Sequence, residues 1–255
     1  IVFWLLVWQL LSFLIGSELL LPSPWAVVRS FCGLAQTTEF YRSILHTLLR
    51  VAAGFAAGMA AGLLAGTLTA FSRAADVLLT PLKNIIKATP VTSFIVLILL
   101  YFSSNVTPSA VAFLAVLPIC WSNVCEGLRQ TDKKMTELAH AYAFGRKKKL
   151  REIYFPAVRP YLSAAATTGL GFAWKSCVAA EVIALSKNSV GRALYESKLY
   201  LETAELFAWT ASVVLISVLF EKLLVHKLFK NKNTEGTAGR RSESLEHGHA
   251  SCEAE

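Results

Sequence analysis

Two long stretches without charged side chains limit what this chain can fold into. Residues 51–71 contain no Asp, Glu, Lys or Arg, and their apolar flank extends back to about Ile44. Residues 88–125 continue the same pattern over 38 residues. An α-helix needs about 20 mostly apolar residues to cross ~30 Å of hydrocarbon. We therefore expect both stretches to lie in a membrane, which disfavours a water-soluble enzyme with charges spread along its sequence.

The apolar stretches divide into six predicted helices. Residues 88–125 are too long for one span, and the polar turn residues 103–108 interrupt them. Residues 1–16 lack the basic start and the small-residue cleavage site of a signal peptide, so we interpret them as the remainder of a first span. The sequence thus predicts an all-α, polytopic membrane domain over 1–229 and a disordered polar tail over 230–255. The predicted spans are 1–16, 44–71, 88–103, 108–127, 160–184 and 206–228.

The distribution of Lys and Arg predicts which side of the membrane each loop faces. If the N-terminus is cytoplasmic, 18 of the 25 Lys and Arg residues lie in segments on the cytoplasmic side, nine of them in 129–159. The positive-inside rule expects such an excess, so we predict that both termini are cytoplasmic. The net charge of +8 then comes mainly from loops that flank the membrane, and nucleic acid is not a predicted partner.

No enzyme or metal motif is visible. The five cysteines form no CxxC pair, and three of them lie in apolar runs, so neither a disulfide framework nor a zinc site is indicated. Residues 169–176 resemble a phosphate-binding P-loop, but Trp174 occupies the position of its second glycine. We therefore predict that the chain holds no metal or cofactor and catalyses no reaction, and that any ATP is hydrolysed by a partner.

Small residues recur along the second predicted span. Glycine occupies every fourth position there, at Gly54, Gly58, Gly62 and Gly66. At 3.6 residues per turn, these positions form one stripe along which another helix can approach closely. Static helix packing is the favoured interpretation, and a seam along which two helices rock is the alternative.

Residues 129–159 form a polar segment that is unusually long for a connection between two spans. Its apolar residues follow the i, i+3, i+4, i+7 pattern of an amphipathic helix at Met135, Leu138, Ala139 and Tyr142. Thr131 or Asp132 can cap the start of this helix, and Gly145 can end it. Two interpretations are open: a helix that rests on lipid headgroups, or a docking helix for a cytoplasmic protein.

Within this segment the sequence resembles the EAA loop of ABC importer permeases. That motif reads E-A-A, three residues, G, and about nine more residues before I-x-L-P. Glu137, Ala139, Ile153 and Pro156 fall in register with it. The chain departs from the motif at two positions: Leu138 replaces the second-position Ala, and Ala143 replaces the Gly, with Gly145 two residues later. Residues 129–159 are called the EAA loop below.

The resemblance extends over roughly residues 20–225. Residues 21–24, 48–55 and 179–181, Pro90, and Asn123 with Gly127 are similar to the nitrate, sulfonate and taurine branch of these permeases. The resemblance implies a type I importer transmembrane domain of six helices in the bacterial cytoplasmic membrane. It also implies three protein partners: a second, identical permease subunit, an external solute-binding protein and a cytoplasmic ABC ATPase dimer. The residues implied to couple to the ATPase are Glu137, Ala139, Ala143, Gly145, Ile153 and Pro156.

Two charged residues lie inside the fifth predicted span. Lys175 and Glu181 are six residues apart and therefore face different sides of one helix. A charge at the centre of a bilayer costs at least about 2.5–3.5 kcal/mol, so each should face a cavity or a partner. Lys175 either lines the pathway and attracts an anion, such as a sulfonate or nitrate, or forms a structural pair. Glu181 is a gate or a packing residue, and Asn123 is a pathway group or an interhelical hydrogen-bonding group. Arg50 is expected to snorkel towards the outer surface.

The predicted function is therefore the permease subunit of an importer for a small anion such as nitrate, a sulfonate or taurine. The first alternative is a secondary transporter driven by an ion gradient. Such transporters are commonly built from internal repeats, and no repeat is visible in this sequence. A membrane scaffold is the second alternative, but it would need neither the EAA loop nor a charged residue such as Lys175 within a span.

Overall fold

The computed structural model of the chain describes residues 2–220 and residue 222, apart from the side chains at 133, 140 and 146. These residues form helices and turns without a strand, so the predicted all-α fold class is confirmed. Contacts group the chain into two units, Ile1–Ser217 and Val218–Glu255, and all contacts discussed below lie in the first. The predicted tail at 230–255 and the end of the sixth predicted span lie outside the described residues.

The helices are numbered in chain order. The first six are α1 (Val2–Ile15), α2 (Pro24–Leu34), α3 (Thr38–Phe71), α4 (Arg73–Ala88), α5 (Val91–Tyr101) and α6 (Thr107–Arg129). The remaining ones are α7 (Lys133–Ala141), α8 (Arg146–Lys149), a π-helical turn (Leu150–Tyr154), α9 (Phe155–Ala184), α10 (Val190–Leu199) and α11 (Thr203–Phe220).

Three of these helices are long and apolar enough to cross a membrane: α3, α6 and α11. The bent pair α4 and α5 would be a fourth if the two helices form one broken span. The helix α1 is apolar but has only 14 described residues, and α9 is 30 residues long. The count of six spans remains a prediction.

Within the segment 88–103, which the sequence predicts as one span, the helix covers only Val91–Tyr101. The helix α5 has 11 residues, which at 1.5 Å per residue extend only about 16 Å. It is bent by 105° from α4, which occupies the segment predicted to be a loop. The break lies at Thr89 and Pro90, where a proline cannot donate the hydrogen bond that would continue the helix.

The helix α6 lies at the centre of the bundle. It packs against α3 and α9, and no residue between Thr107 and Cys125 is exposed. Its side chains enter two apolar clusters, one of Cys120 and Val124 with Val158 and Ala165, and one of Val111 with Ile95 and Ala180. The polar turn predicted at 103–108 separates α5 from α6 at residues 102–106, whereas Thr107 and Pro108 already belong to α6.

The four glycines of α3 face α6, and we call this contact the glycine seam. Gly54, Gly58, Gly62 and Gly66 are all buried. A Cβ atom at Gly62 would lie 2.6 Å from Cys120 Cβ and 2.9 Å from Leu117 O, which is closer than such atoms can approach. The other three positions have equivalent close contacts along α6. The seam therefore allows two long helices to meet backbone to backbone.

Candidate functional site

The EAA loop begins with a fixed connection to the bundle. At the end of α6, Arg129 Nη2 lies 2.6 Å from Asp76 Oδ2 of α4. Asp132 then starts α7, since its Oδ1 accepts a hydrogen bond from Lys134 N at 2.8 Å. An aspartate in this position satisfies an N–H group that has no partner within the helix. The predicted amphipathic helix is therefore present, with its predicted cap at Asp132.

The end of α7 differs from the prediction that Gly145 terminates it. The helix ends at Ala141, and Ala143 takes the left-handed conformation with a φ of 49°. Phe144 N donates to Ala139 O at 2.9 Å, which closes the Schellman turn that commonly follows a helix. Gly145 instead precedes α8, and its carbonyl accepts from Lys149 N at 3.1 Å. The position where the EAA motif has glycine is thus the position that needs a positive φ.

Ala143 pays an energetic cost at this position because its Cβ crowds the backbone at positive φ. We expect Ala143→Gly to stabilise the turn by about 1 kcal/mol. Hydrogen exchange of the α7 amides in the purified protein should then become about fivefold slower, because 1.4 kcal/mol corresponds to tenfold. The matched control is Ala141→Gly at the last helical residue, which should speed exchange since glycine destabilises a helix. Equal effects of the two variants would contradict strain at Ala143.

The helix α7 and the residue directly after it present large apolar side chains to their surroundings. Met135, Leu138 and Tyr142 are exposed by 58%, 56% and 71%, whereas Ala139 on the same stripe is buried. Glu137 is exposed as well. A cluster of exposed apolar residues with a neighbouring charge is typical of a surface that contacts another molecule.

The rest of the EAA loop returns to the bundle. Lys148 Nζ lies 4.0 Å from the ring centroid of Phe144, so the basic run folds over the turn. The π-helical turn then places Tyr154 against Phe71 at the end of α3, with ring centroids 5.2 Å apart. Ile153 is half-buried in this turn, and Pro156 is exposed in the first turn of α9. The loop is therefore anchored at both ends, to α4 through Arg129 and to α3 through Tyr154.

The three polar residues predicted near the pathway lie in different environments. Lys175 is exposed on α9, whereas Glu181 is fully buried, so they occupy different sides of the helix as predicted. Asn123 is half-buried and donates through Nδ2 to Ile119 O of its own helix at 2.8 Å. The structure does not bring these three residues into one site.

Glu181 belongs to a buried hydrogen-bond network between α3, α9 and α10. Its Oε1 lies 2.9 Å from Arg50 Nη1, and Thr47 Oγ1 lies 3.0 and 2.9 Å from its two carboxylate oxygens. Gly191 N donates to Oε2 at 3.2 Å, and Thr47 Oγ1 also accepts from Val190 N at 3.1 Å. Because the Glu181 side chain has no exposed surface, it faces no opening in this conformation.

Arg50 extends this network to two turns. Its Nη2 donates to Lys187 O at 2.9 Å and to Asn105 Oδ1 at 3.3 Å, and Lys187 N donates to the same Oδ1 at 3.0 Å. The Arg50 side chain is only 13% exposed, so the expectation that it snorkels is wrong: it pairs with Glu181 inside the chain. We call the set of Thr47, Arg50, Asn105, Glu181 and Lys187 the Arg50–Glu181 junction.

Sequence reasoning missed the contributions of Thr47 and Asn105 to this junction. Charges of both signs within predicted spans were visible at Arg50, Lys175 and Glu181, and charges in a membrane tend to pair with one another. That signal could have suggested a pair of Glu181 with Arg50 or Lys175, but Arg50 was expected to snorkel. Nothing local marked Thr47, a polar residue within an apolar flank, or Asn105, which resembles an ordinary turn residue.

Comparisons with known proteins agree with the all-helical fold. A solved crystal structure of an amino acid ABC transporter with histidines superposes with a TM-score of 0.62 and 15% identity, covering 76% of this chain and 93% of that one. A likeness at this identity shows the fold alone.

Sequence relatives cover nearly the whole chain. A Bacillus subtilis protein named as an aliphatic sulfonates transport permease, SsuC, is 27% identical over 234 residues, 89% of this chain and 84% of the relative. The riboflavin transport system permease protein RibX of Chloroflexus aurantiacus is 31% identical over 214 residues, 81% of this chain and 80% of the relative. The family described as binding-protein-dependent transport system inner membrane component matches residues 58–226, which is more than half of the chain. The chain therefore belongs to this family of ABC transporter permeases.

Proposed function

We propose that this chain is the membrane subunit of an ATP-driven importer and that its EAA loop docks on a cytoplasmic ATPase. The observation that carries the proposal is the exposed apolar stripe of Met135 and Leu138 on α7, which continues at Tyr142 directly after the helix. The acidic residue of the motif, Glu137, is exposed on the same helix. An amphipathic helix of this kind binds by laying its apolar face into a groove of the partner.

The two anchors of the EAA loop support its role as a lever. Arg129 connects its start to α4, and Tyr154 connects its end to α3. A displacement of α7 by the ATPase would therefore reach two separate parts of the bundle, as rigid-body switching requires. The proposed contact and turn residues are Glu137, Ala139, Ala143, Gly145, Ile153 and Pro156. The chain itself would catalyse no reaction.

The remaining partners follow from this arrangement. We propose an orientation with cytoplasmic termini, so that the basic EAA loop faces the cytoplasm. A second copy of the chain would complete the pathway, an external solute-binding protein would deliver the substrate, and an ATPase dimer would bind the two EAA loops. The end of the bundle that holds the Arg50–Glu181 junction would then face outwards.

Co-purification with the ATPase tests this function. The tagged chain is coexpressed with the ATPase of the same transporter, and the complex is isolated in detergent. We expect the ATPase to be retained, and uptake into vesicles to require ATP. Uptake that follows an imposed ion gradient without ATP would instead support a secondary transporter.

The substrate proposed for this transporter is a small anion, with an aliphatic sulfonate as the first candidate. Lys175 supports this class, because it is a cation within α9 that is exposed on the surface of the chain. A cation there is costly in lipid, so a pathway or a neighbouring subunit must cover it. The two relatives are named for different substrates, aliphatic sulfonates and riboflavin. The substrate of this chain therefore has to be tested directly.

Replacing Lys175 by alanine should weaken uptake of the sulfonate. A charge-assisted hydrogen bond contributes about 1.5–3 kcal/mol, so we expect the half-saturating concentration to rise by at least about tenfold. Lys175→Arg keeps the positive charge and is the matched control, with a smaller effect. Equal uptake by wild type and Lys175→Ala would remove Lys175 from the pathway.

A further inference from the structure

We propose that Arg50 is a positioning residue for transport: together with Glu181 it holds the segment 185–189 against α3 and the turn before α6. The segment joins α9 to α10, and Arg50 contacts both the end of α9, at Glu181, and the middle of the segment, at Lys187. The link to transport rests on the proposed function, whereas the position of the segment can be measured on the chain alone.

The segment 185–189 has a conformation that its own sequence does not favour. Leu185 and Asn188 have φ values of 50° and 49°, in the left-handed region where side chains other than glycine are strained. Leucine is especially poorly suited to this conformation, since it lacks the polar group that lets asparagine adopt it. Two such residues within four positions persist only where surrounding contacts hold them.

Those contacts come from two separate parts of the chain. Ser186 Oγ donates to Ser104 O at 2.5 Å, and Lys187 N donates to Asn105 Oδ1 at 3.0 Å, which attaches the segment to the turn before α6. Arg50 Nη2 donates to Lys187 O at 2.9 Å, which attaches it to α3. Both the N–H and the C=O group of Lys187 are thus hydrogen-bonded to other parts of the chain.

The charge of Glu181 fixes Arg50 in the orientation that its hydrogen bond to Lys187 O requires. Nη1 pairs with the buried carboxylate, so Nη2 of the same planar guanidinium points to Lys187 O and Asn105 Oδ1. A lysine could pair with Glu181, but a single ammonium group cannot reproduce the forked geometry. The ion pair and the attachment of the segment can therefore be separated by substitution.

A consequence for transport follows from the elements that the junction joins. Thr47 and Arg50 belong to α3, which ends against the EAA loop at Phe71 and Tyr154. Glu181 belongs to α9, which starts directly after the same loop. The junction therefore connects, at the far end of the bundle, the two helices that the EAA loop contacts at the near end, and movement of one would carry the other and the segment 185–189.

Trypsin cleavage after Lys187 in the purified, full-length protein tests the position of the segment. The key variant is Arg50→Lys, which retains a positive charge next to Glu181, and the control is Arg42→Lys at an exposed position of the same helix. We expect cleavage after Lys187 to be about tenfold faster in Arg50→Lys, because the segment loses hydrogen bonds that oppose local opening, and unchanged in Arg42→Lys. Unchanged cleavage in Arg50→Lys overturns the proposal.

A double variant tests whether faster cleavage could come from a folding defect. Arg50→Met with Glu181→Gln removes both charges, so no unpaired charge remains buried. We expect this double variant to be produced at the wild-type level and still to be cleaved faster after Lys187. Wild-type protection in the double variant would overturn the proposal, because the segment would then be held without Arg50.

Uptake of an aliphatic sulfonate by vesicles that contain the ATPase separates a positioning role from a merely structural one. We expect the maximal rate in Arg50→Lys to fall at least about tenfold with an unchanged half-saturating concentration, at equal amounts of protein. An unchanged maximal rate would overturn the positioning role. If wild type itself fails to take up the sulfonate, the proposed function fails, and the cleavage comparison still decides whether Arg50 holds the segment.

Discussion

Replacing Glu137 by lysine should abolish most ATP-dependent uptake while leaving the chain in the membrane. The side chain is exposed in the middle of α7, and lysine has a helix propensity close to that of glutamate, so α7 itself should still form. Loss of one partner from a charge pair buried at an interface costs about 2–5 kcal/mol. Since 1.4 kcal/mol corresponds to tenfold, we expect the ATPase to bind at least about 30-fold more weakly.

The matched control for this prediction is Glu152→Lys. Glu152 is also an exposed glutamate of the EAA loop, but it lies in the π-helical turn rather than on α7. The two variants have the same net charge, so a general electrostatic effect on the loop would reduce ATPase retention equally. We expect the loss in Glu137→Lys alone, measured by the ratio of ATPase to permease after affinity purification. Normal retention in Glu137→Lys would count against docking through α7.

Helices could be predicted from the sequence where a periodic pattern coincides with a local start signal. The EAA loop is the best example: its apolar spacing and Asp132 predicted α7, and the structure has both. Its end was predicted at Gly145, because glycine is the usual residue at a helix end. The structure uses Ala143 instead, since the hydrogen bond from Phe144 to Ala139 decides which residue turns, whatever its side chain.

The bend between α4 and α5 could not be predicted from composition. Residues 73–87 lie between two predicted spans and contain several charges, so the sequence predicted a loop there. In the structure they form α4, which includes Pro81. Charge-free length and the polar turn predicted a span over 88–103, but length does not tell whether a helix continues through Thr89 and Pro90 or turns there. That choice depends on the surface against which each half packs.

The Arg50–Glu181 junction shows what one sequence cannot supply. Arg50 and Glu181 are 131 positions apart, and Asn105 reaches Arg50 over 55 positions. Each residue alone has a plausible local interpretation, as a snorkelling cation, a gate or a turn former. Only the packing of α3 against α9 brings them within hydrogen-bonding distance. Spacing along the chain carries no information about such a contact.

The glycine seam could be predicted only in part. The four-residue spacing predicted a close helix contact, but it did not identify α6 as the partner. The partner matters for energetics, because α6 is also packed against α9 and has no exposed residue between Thr107 and Cys125. A side chain added at the seam cannot be accommodated by moving α6 away, since α9 lies against it.

We therefore expect Gly62→Leu to prevent folding rather than only to loosen the contact between α3 and α6. Its Cβ alone would lie 2.6 Å from Cys120 Cβ and 2.9 Å from Leu117 O, and a backbone atom cannot move aside as a flexible side chain can. Overpacking by a few methylene groups in a yielding core costs about 1–3 kcal/mol. Overpacking at this rigid contact should cost more than that. The loss would be a large part of the 5–15 kcal/mol that stabilises a typical domain.

The measurement is the amount of monodisperse protein extracted from membranes, with Ala60→Leu as the matched control. Ala60 is exposed on α3 two residues before Gly62, so a leucine there adds the same bulk at a position that the described part of the chain leaves uncovered. We expect Ala60→Leu to resemble wild type and Gly62→Leu to lose at least about nine-tenths of the extracted protein. If Gly62→Leu were produced normally and had the wild-type size in solution, α3 and α6 could separate at the seam. The alternative in which these two helices rock against each other would then be favoured over static packing.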